Sequence, residues 1–342
     1  MKRLRTCGLW FAAATAGVLL TVPGAIAGRA TIQDPPQAAF RSGASAVMVD
    51  VTVRDGSRRA ITGLTAKDFQ VFDNGVPQQV DEVSYGTLPI DVTVALDVSY
   101  SVTGDLLDRL RQAVAQLMRD LGSKDRLKLV LFSTRITRTI DYTTDVKAVE
   151  RAIRGTSASG STSLLDAISV TLVSASPADR RQLIVFFTDG SDTSSTTSPA
   201  ILTEVAERTR ATLAFVVPFT AGRPMVLSSL PALQGASVPP ALQGSITPPP
   251  RVTTVVTAQS ASTLSLNPVV SKLARETGGT ILPVSAAGNL SDAFRSVLNE
   301  FRSAYVLYYT ARGVEPAGHH ALEVKVRRDG VLVEARRGYF SS

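Results

Sequence analysis

Four mostly apolar runs, each short enough for a strand and each followed by a helical stretch, constrain this chain more than any other feature. Ile90-Asp91-Val92-Thr93-Val94-Ala95-Leu96, Leu127-Lys128-Leu129-Val130-Leu131-Phe132, Gln182-Leu183-Ile184-Val185-Phe186-Phe187 and Leu213-Ala214-Phe215-Val216-Val217 lack the strict alternation of a half-exposed strand. Strands of this kind are covered on both faces, as in a parallel sheet. Leu106, Leu110, Val114, Leu117 and Leu121 recur at helical spacing, and residues 164–173 and 201–210 read as further helices. After an interruption the rhythm resumes, with a helix over 269–277, a stop at Gly278-Gly279, a strand over 280–284, a helix over 290–302 and a strand over 305–309. The pattern predicts an α/β fold: a doubly wound, mostly parallel sheet with helices on both faces and right-handed crossovers.

The two ends read differently. Val47, Val49, Val51 and Val53 alternate with Met48, Asp50, Thr52 and Arg54 before Asp55-Gly56, and Phe69 and Val71 alternate with Asp68 and Gln70 before Asp73-Asn74-Gly75. Leu322, Val324 and Val326 alternate as well, and Asp329-Gly330 turns the chain into Val331-Leu332-Val333. Period two followed by a turn dipeptide is the signature of exposed-face strands. Neither end supplies many strands, so a small β-sandwich assembled from both is expected. The boundaries predicted are a β-rich module over 44–88, the α/β domain over 89–312 and a C-terminal β hairpin over 313–342 that packs with 44–88. The interruption, 220–262, carries Pro239-Pro240 and Pro248-Pro249-Pro250 among many Ser, Thr and Ala residues, and reads as an insertion.

Residues 1–27 combine a basic start, an apolar run from about residue 8 to 22 and Ala25-Ile26-Ala27, the pattern of a cleaved secretory signal. A linker over 28–43 follows. The expectation is an exported protein, periplasmic, surface-located or secreted, with no stable membrane span after cleavage. Cys7 is the sole cysteine and lies in the signal, which excludes a disulfide framework, a thiolate nucleophile and a cysteine-ligated zinc in the mature chain. Lys and Arg outnumber Asp and Glu 36 to 29; without Lys2, Arg3 and Arg5 the balance is 33 to 29. That surplus, with aromatics at 6%, argues against a nucleic-acid groove.

Ligands of open α/β sheets bind beyond the carboxyl ends of the strands. The first central strand ends in Asp97-Val98-Ser99-Tyr100-Ser101, the strand ending at Phe187 runs into Thr188-Asp189-Gly190, and Gly160-Ser161-Thr162-Ser163-Leu164 is a loop entering a helix. Together they offer two acids and three hydroxyls, all hard oxygen donors suited to a hard divalent cation with an open coordination position. A carboxylate from a partner could fill that position. Asp97, Ser99, Ser101, Thr162 and Asp189 are the candidate metal residues.

In this arrangement the chain resembles the metal-ion-dependent adhesion site of von Willebrand factor A domains and integrin I domains, whose D-x-S-x-S motif is matched by Asp97, Ser99 and Ser101, loop threonine by Thr162 and T-D-G aspartate by Asp189. The resemblance implies that Ser99, Ser101 and Thr162 bind Mg²⁺, or Mn²⁺ or Ca²⁺, directly, while Asp97 and Asp189 act largely through water. Ser161 stands where the family usually has a second glycine. Gly63-Leu64-Thr65-Ala66-Lys67-Asp68-Phe69, Thr277-Gly278-Gly279, residues 305–309 and Arg337-Gly338-Tyr339 are similar to the acidobacterial-type subfamily of von Willebrand factor A-related proteins. The implied function is non-catalytic adhesion, with the metal coordinating a Glu or Asp of a protein partner. The alternative is an envelope assembly protein in which the β module makes the main contact and the metal is structural.

An enzyme is not expected. His319 and His320 are the only histidines, adjacent in what reads as a solvated loop, which leaves no Ser/His/Asp set and no general base near the candidate residues. An aspartyl-phosphate enzyme would usually carry a second acid two residues after Asp97, where Ser99 stands, and no G-x-x-x-x-G-K-[ST] loop is present. Tyr100, inside the first loop, is placed to border a binding face.

Overall fold

The computed structural model describes residues 46–102, 104–174, 177, 179–219, 267–285 and 288–341. The expected signal and linker, residues 1–43, and the insertion over 220–262 lie outside the described residues. The chain first lays down β1 (Ala46–Arg54), β2 (Phe69–Asp73), β3 (Val76–Gln78) and β4 (Glu82–Tyr85). An α/β stretch follows: β5 (Ile90–Asp97), α1 (Asp105–Asp120), β6 (Arg126–Phe132), β7 (Ile136–Thr143), α2 (Val146–Arg154), α3 (Leu164–Leu172), β8 (Arg181–Phe187), α4 (Pro199–Arg208), β9 (Thr212–Phe219), α5 (Pro268–Glu276), β10 (Ile281–Ser285) and α6 (Leu290–Arg302). It closes with β11 (Tyr305–Thr310), β12 (Gly318–Val326), β13 (Leu332–Ala335) and β14 (Gly338–Ser341).

Six strands form the central sheet in the order β10-β9-β8-β5-β6-β7, all parallel except the edge strand β7. Every residue of β5 is buried, because alternate side chains serve different layers. Ile90, Val92, Val94 and Leu96 pack with α1, α2 and α6, whereas Ala95 packs with α3, α4 and α5. The continuous apolar run in the sequence is thus two interleaved alternations, each facing a helical layer. The doubly wound class expected from the sequence is the one observed.

The ends of the chain form two four-stranded sheets, β13-β1-β11-β4 and β14-β12-β2-β3. Val49, Val51, Val53, Tyr305, Leu307 and Tyr309 from the first share a core with Phe69, Val71 and Leu322 from the second, so the sheets pack as a sandwich. Two assignments differ from the sequence reading. Residues 305–309, expected as the last strand of the α/β domain, belong to β11 and pair antiparallel with β1 and β4 instead. Their apolar character is met by the sandwich core, which sequence periodicity cannot distinguish from a sheet core. The expected C-terminal hairpin is also divided: β12 pairs with β2 and β14, while β13 crosses to pair with β1. The Asp329-Gly330 turn therefore carries the chain between sheets rather than folding it back on itself.

Arg181, 1% exposed, ties the two parts together. It donates from Nε to Asp50 Oδ1 at 2.6 Å and from Nη2 to the Phe301 carbonyl at 2.7 Å, with its guanidinium 3.9 Å from the Phe301 ring centroid. No helix among the described residues is long and apolar enough to cross a membrane.

Candidate functional site

At the carboxyl end of β5 the strand order switches: the chain leaves β5 toward β6 on one side and leaves β8 toward β9 on the other. Loops departing in opposite directions leave a crevice between them, the usual ligand position in such sheets. Asp97 is the last residue of β5 and is fully buried. Its Oδ1 accepts from the Ser99 backbone N–H at 2.9 Å and its Oδ2 accepts from the Thr188 hydroxyl at 3.1 Å. The Ser99 and Ser101 hydroxyls are 3.0 Å apart, Ser99 being 2% exposed and Ser101 open to solvent. Asp189 follows Thr188 and lies close enough to act on the charge of Asp97.

Burial, with a further push from Asp189, raises the Asp97 carboxyl to about 6 in spite of the hydrogen bonds from Ser99 and Thr188. The groups acting on Asp97 are hydroxyls, an amide and another carboxylate, with no cation among the leading influences. A buried acid in that company is costly when ionised. A hard cation would offset the cost, and the oxygen-only donor set fits one. Among the described residues no three His, Cys, Asp or Glu side chains cluster in a way that could hold a metal, so an ion here would depend on hydroxyl ligands.

The loop carrying Thr162 is held on two sides. Ser159 N–H donates to the Val98 carbonyl at 2.8 Å and Tyr100 N–H to the Gly160 carbonyl at 3.1 Å, which fastens it to the first loop. Gly160 has φ 78°, and a Cβ there would run into the Thr134 hydroxyl, so only glycine fits this corner. On the other side Thr162 N–H donates to Thr193 Oγ1 at 3.0 Å, and the Thr162 carbonyl accepts from the N–H groups of Thr193 and Ser194 at 2.8 and 3.1 Å. Asp192 Oδ1 accepts from the first N–H groups of α3, those of Leu164 and Leu165, at 2.8 and 3.3 Å. A carboxylate from the loop after β8 therefore caps a helix whose own N-cap, Ser163, makes no side-chain cap.

The structure thus brings Asp97, Ser99, Ser101 and Asp189 to one place and anchors the backbone of Thr162, itself 5% exposed, between the two flanking loops. Sequence reasoning missed Asp192 and Thr193. Their signal, a hydroxyl-rich run after Thr188-Asp189-Gly190, suggests a cap but does not say which helix receives it. Tyr100 is 71% exposed on the rim. His319 and His320 lie on β12 rather than in a loop, and His320, 1% exposed, is not solvated as expected: it faces inward because residues alternate along a strand.

A doubly wound α/β domain with oxygen-bearing loops gathered at its switch point is the class that fold and site define. Residues 91–239 match the model of the von Willebrand factor type A domain. The chain resembles inter-alpha-trypsin inhibitor heavy chain H4 of Sus scrofa, at 28% identity over 127 residues and 34% of this chain. It is similarly like the Homo sapiens protein of that name, at 30% identity over 126 residues and 33% of this chain. The chain spans 14% of the length of these relatives. Among solved structures, the PilB minor pilin from Streptococcus sanguinis aligns over 63% of this chain and 62% of that one, at 13% identity and a TM-score of 0.43.

Proposed function

We propose that this chain is an exported, non-catalytic adhesion module in which Asp97, Ser99, Ser101, Thr162 and Asp189 form a metal-ion-dependent adhesion site. The observation that carries the reading is Asp97: a fully buried carboxylate beside a second acid and two linked serine hydroxyls, under a rim open to solvent. Mg²⁺, or Mn²⁺ or Ca²⁺, held there would supply a positive centre with an open position for a Glu or Asp carboxylate of a protein partner. Ser99 and Ser101 would bind through hydroxyl oxygens already paired, Thr162 through an oxygen whose backbone is pinned, and Asp97 and Asp189 would balance the charge largely through water. Tyr100 would contact the partner around the acidic side chain.

The test is a displayed peptide library selected on the full chain in Mg²⁺ and counter-selected in EDTA. Retained peptides should carry a Glu or Asp whose change to Gln or Asn abolishes capture, and Asp97→Ala should return binding to background. Capture that persists unchanged in EDTA and in Asp97→Ala would overturn the reading.

A further inference from the structure

At the opposite end of the central sheet, a cavity of about 680 Å³ opens between the end of α4 and the sandwich, within the size range of small-molecule sites. Two buried side chains stand in its wall: His320, with one ring nitrogen lacking a partner, and Arg336, hydrogen-bonded to backbone carbonyls. His320 places Nδ1 at 2.7 Å from Asp73 Oδ1 and stacks on Tyr339, with ring centroids 4.5 Å apart. Asp73, fully buried, also accepts on Oδ2 from the hydroxyls of Tyr309 and Tyr339 at 2.8 and 2.9 Å. Burial pushes both phenols above their usual range, so they stay protonated and donate. An Asp73 carboxylate surrounded by donors fixes the His320 proton on Nδ1. In the neutral ring Nε2 is then an acceptor, and this atom is buried with no partner.

Arg336, 7% exposed, lines the same cavity. Its guanidinium donates to the carbonyls of Gly338 at 2.7 Å and Thr209 at 2.8 Å, and burial lowers it to about 10. These partners, with the Ala206 carbonyl at 3.5 Å, are all neutral, and Asp50 and Glu207 favour its charge without forming an ion pair with it among the described residues. Arg208 and Arg210 stand on the same wall, the former over the Phe340 ring at 3.8 Å. Glu207 and Glu315 also line the cavity, Glu207 lying 3.8 Å from His319. A buried guanidinium hydrogen-bonded only to neutral carbonyls, next to a buried ring nitrogen without a partner, suits a ligand that is both anionic and a hydrogen-bond donor.

We propose that this cavity binds a small oxyanion bearing an O–H, with Arg336 as its counter-charge and His320 Nε2 accepting its proton-bearing oxygen. Hydrogen phosphate and the hydroxy-carboxylates share that chemistry. The site is separate from the loops at Asp97 and stands without them.

The chain has two histidines, which makes a direct test simple. Full-length protein with ¹⁵N-labelled histidine, kept in EDTA at constant ionic strength, is titrated with inorganic phosphate, glycolate or acetate, and the ring nitrogens are followed by NMR, with His319→Gln for assignment. The expected result is a saturable shift of His320 Nε2 with phosphate or glycolate at millimolar concentration, weakened about tenfold or more in Arg336→Met. Response to phosphate alone or glycolate alone identifies which oxyanion the cavity takes. No shift with either, or an equal response to acetate, would overturn the proposal, and this holds in the wild-type chain even if Arg336→Met fails to fold. A shift undiminished in a folded Arg336→Met would also overturn it.

Discussion

A fully buried carboxylate is an expensive residue to place at a strand end, and Asp97 is held there by amide and hydroxyl donors with Asp189 adding repulsion. If the cost serves a cation, Asp97→Asn should separate stability from binding. The amide oxygen still accepts from the Ser99 N–H, the NH2 can donate to a rotated Thr188 hydroxyl, and no charge is left to desolvate, so the thermal midpoint of metal-free protein should stay unchanged or rise. The increase in midpoint on adding Mn²⁺ should disappear, with affinity down about tenfold or more. A lower metal-free midpoint together with an intact Mn²⁺ response would contradict this account of the residue. Four of the five candidate residues were legible in the sequence because they sit in short motifs directly after apolar strands, and Thr162 because it lies in a loop entering a helix. Asp192 was not, since the amide it caps at Leu164 is 28 positions away. Nor was the Asp73 to His320 pair, separated by 247 positions, where only the folded sandwich reveals a contact.

Among elements, the buried strands and their helices were legible because covering both faces leaves a continuous apolar run. The edge strand β7 was not: its partner lies on one side only, most of its residues are exposed or half-buried, and its run Ile-Thr-Arg-Thr-Ile-Asp-Tyr-Thr shows no apolar block. The segment after α5 was legible as a stop, but its reason is tertiary. Gly278 takes φ 72°, and at Gly279 a Cβ would overlap the Leu213 carbonyl at the start of β9. Thr277 Oγ1 accepts from the Leu213 N–H at 3.1 Å while donating to the Leu273 carbonyl at 2.8 Å, which locks the end of α5 against that strand. Gly279→Ala must therefore push β9 away from the α5 terminus. The expected loss is about 3 kcal/mol or more, read from urea unfolding. A change below about 0.5 kcal/mol would mean that the backbone relaxes around the methyl group.

For the whole molecule, the question is whether the sandwich is an appendage or part of one folding unit. β4 runs into β5 and α6 runs into β11, so the α/β stretch is inserted between strands of a single sheet. Arg181 bonds to Asp50 in β1 and to Phe301 in α6, and the Arg54 guanidinium pairs with Glu300 of that helix. Such ties predict that damage to the sandwich is felt by the central domain. Ending the chain at residue 312 strips β12 from β2 and β13 from β1, and removes Leu322 with the half-buried Val324, Val326, Val331 and Val333 from the shared core. At about 1.5–3 kcal/mol for each well-buried side chain and less for the others, the loss is at least about 5 kcal/mol. For a chain of this size that corresponds to a fall in the thermal midpoint of roughly 10–20 °C. The midpoint should be read from the far-ultraviolet signal of the helices, which among the described residues all lie in the α/β stretch apart from one short turn at Ala66–Asp68. A helical transition at the unmodified temperature in the truncated chain would show that the α/β domain stands alone and that the sandwich is carried by it.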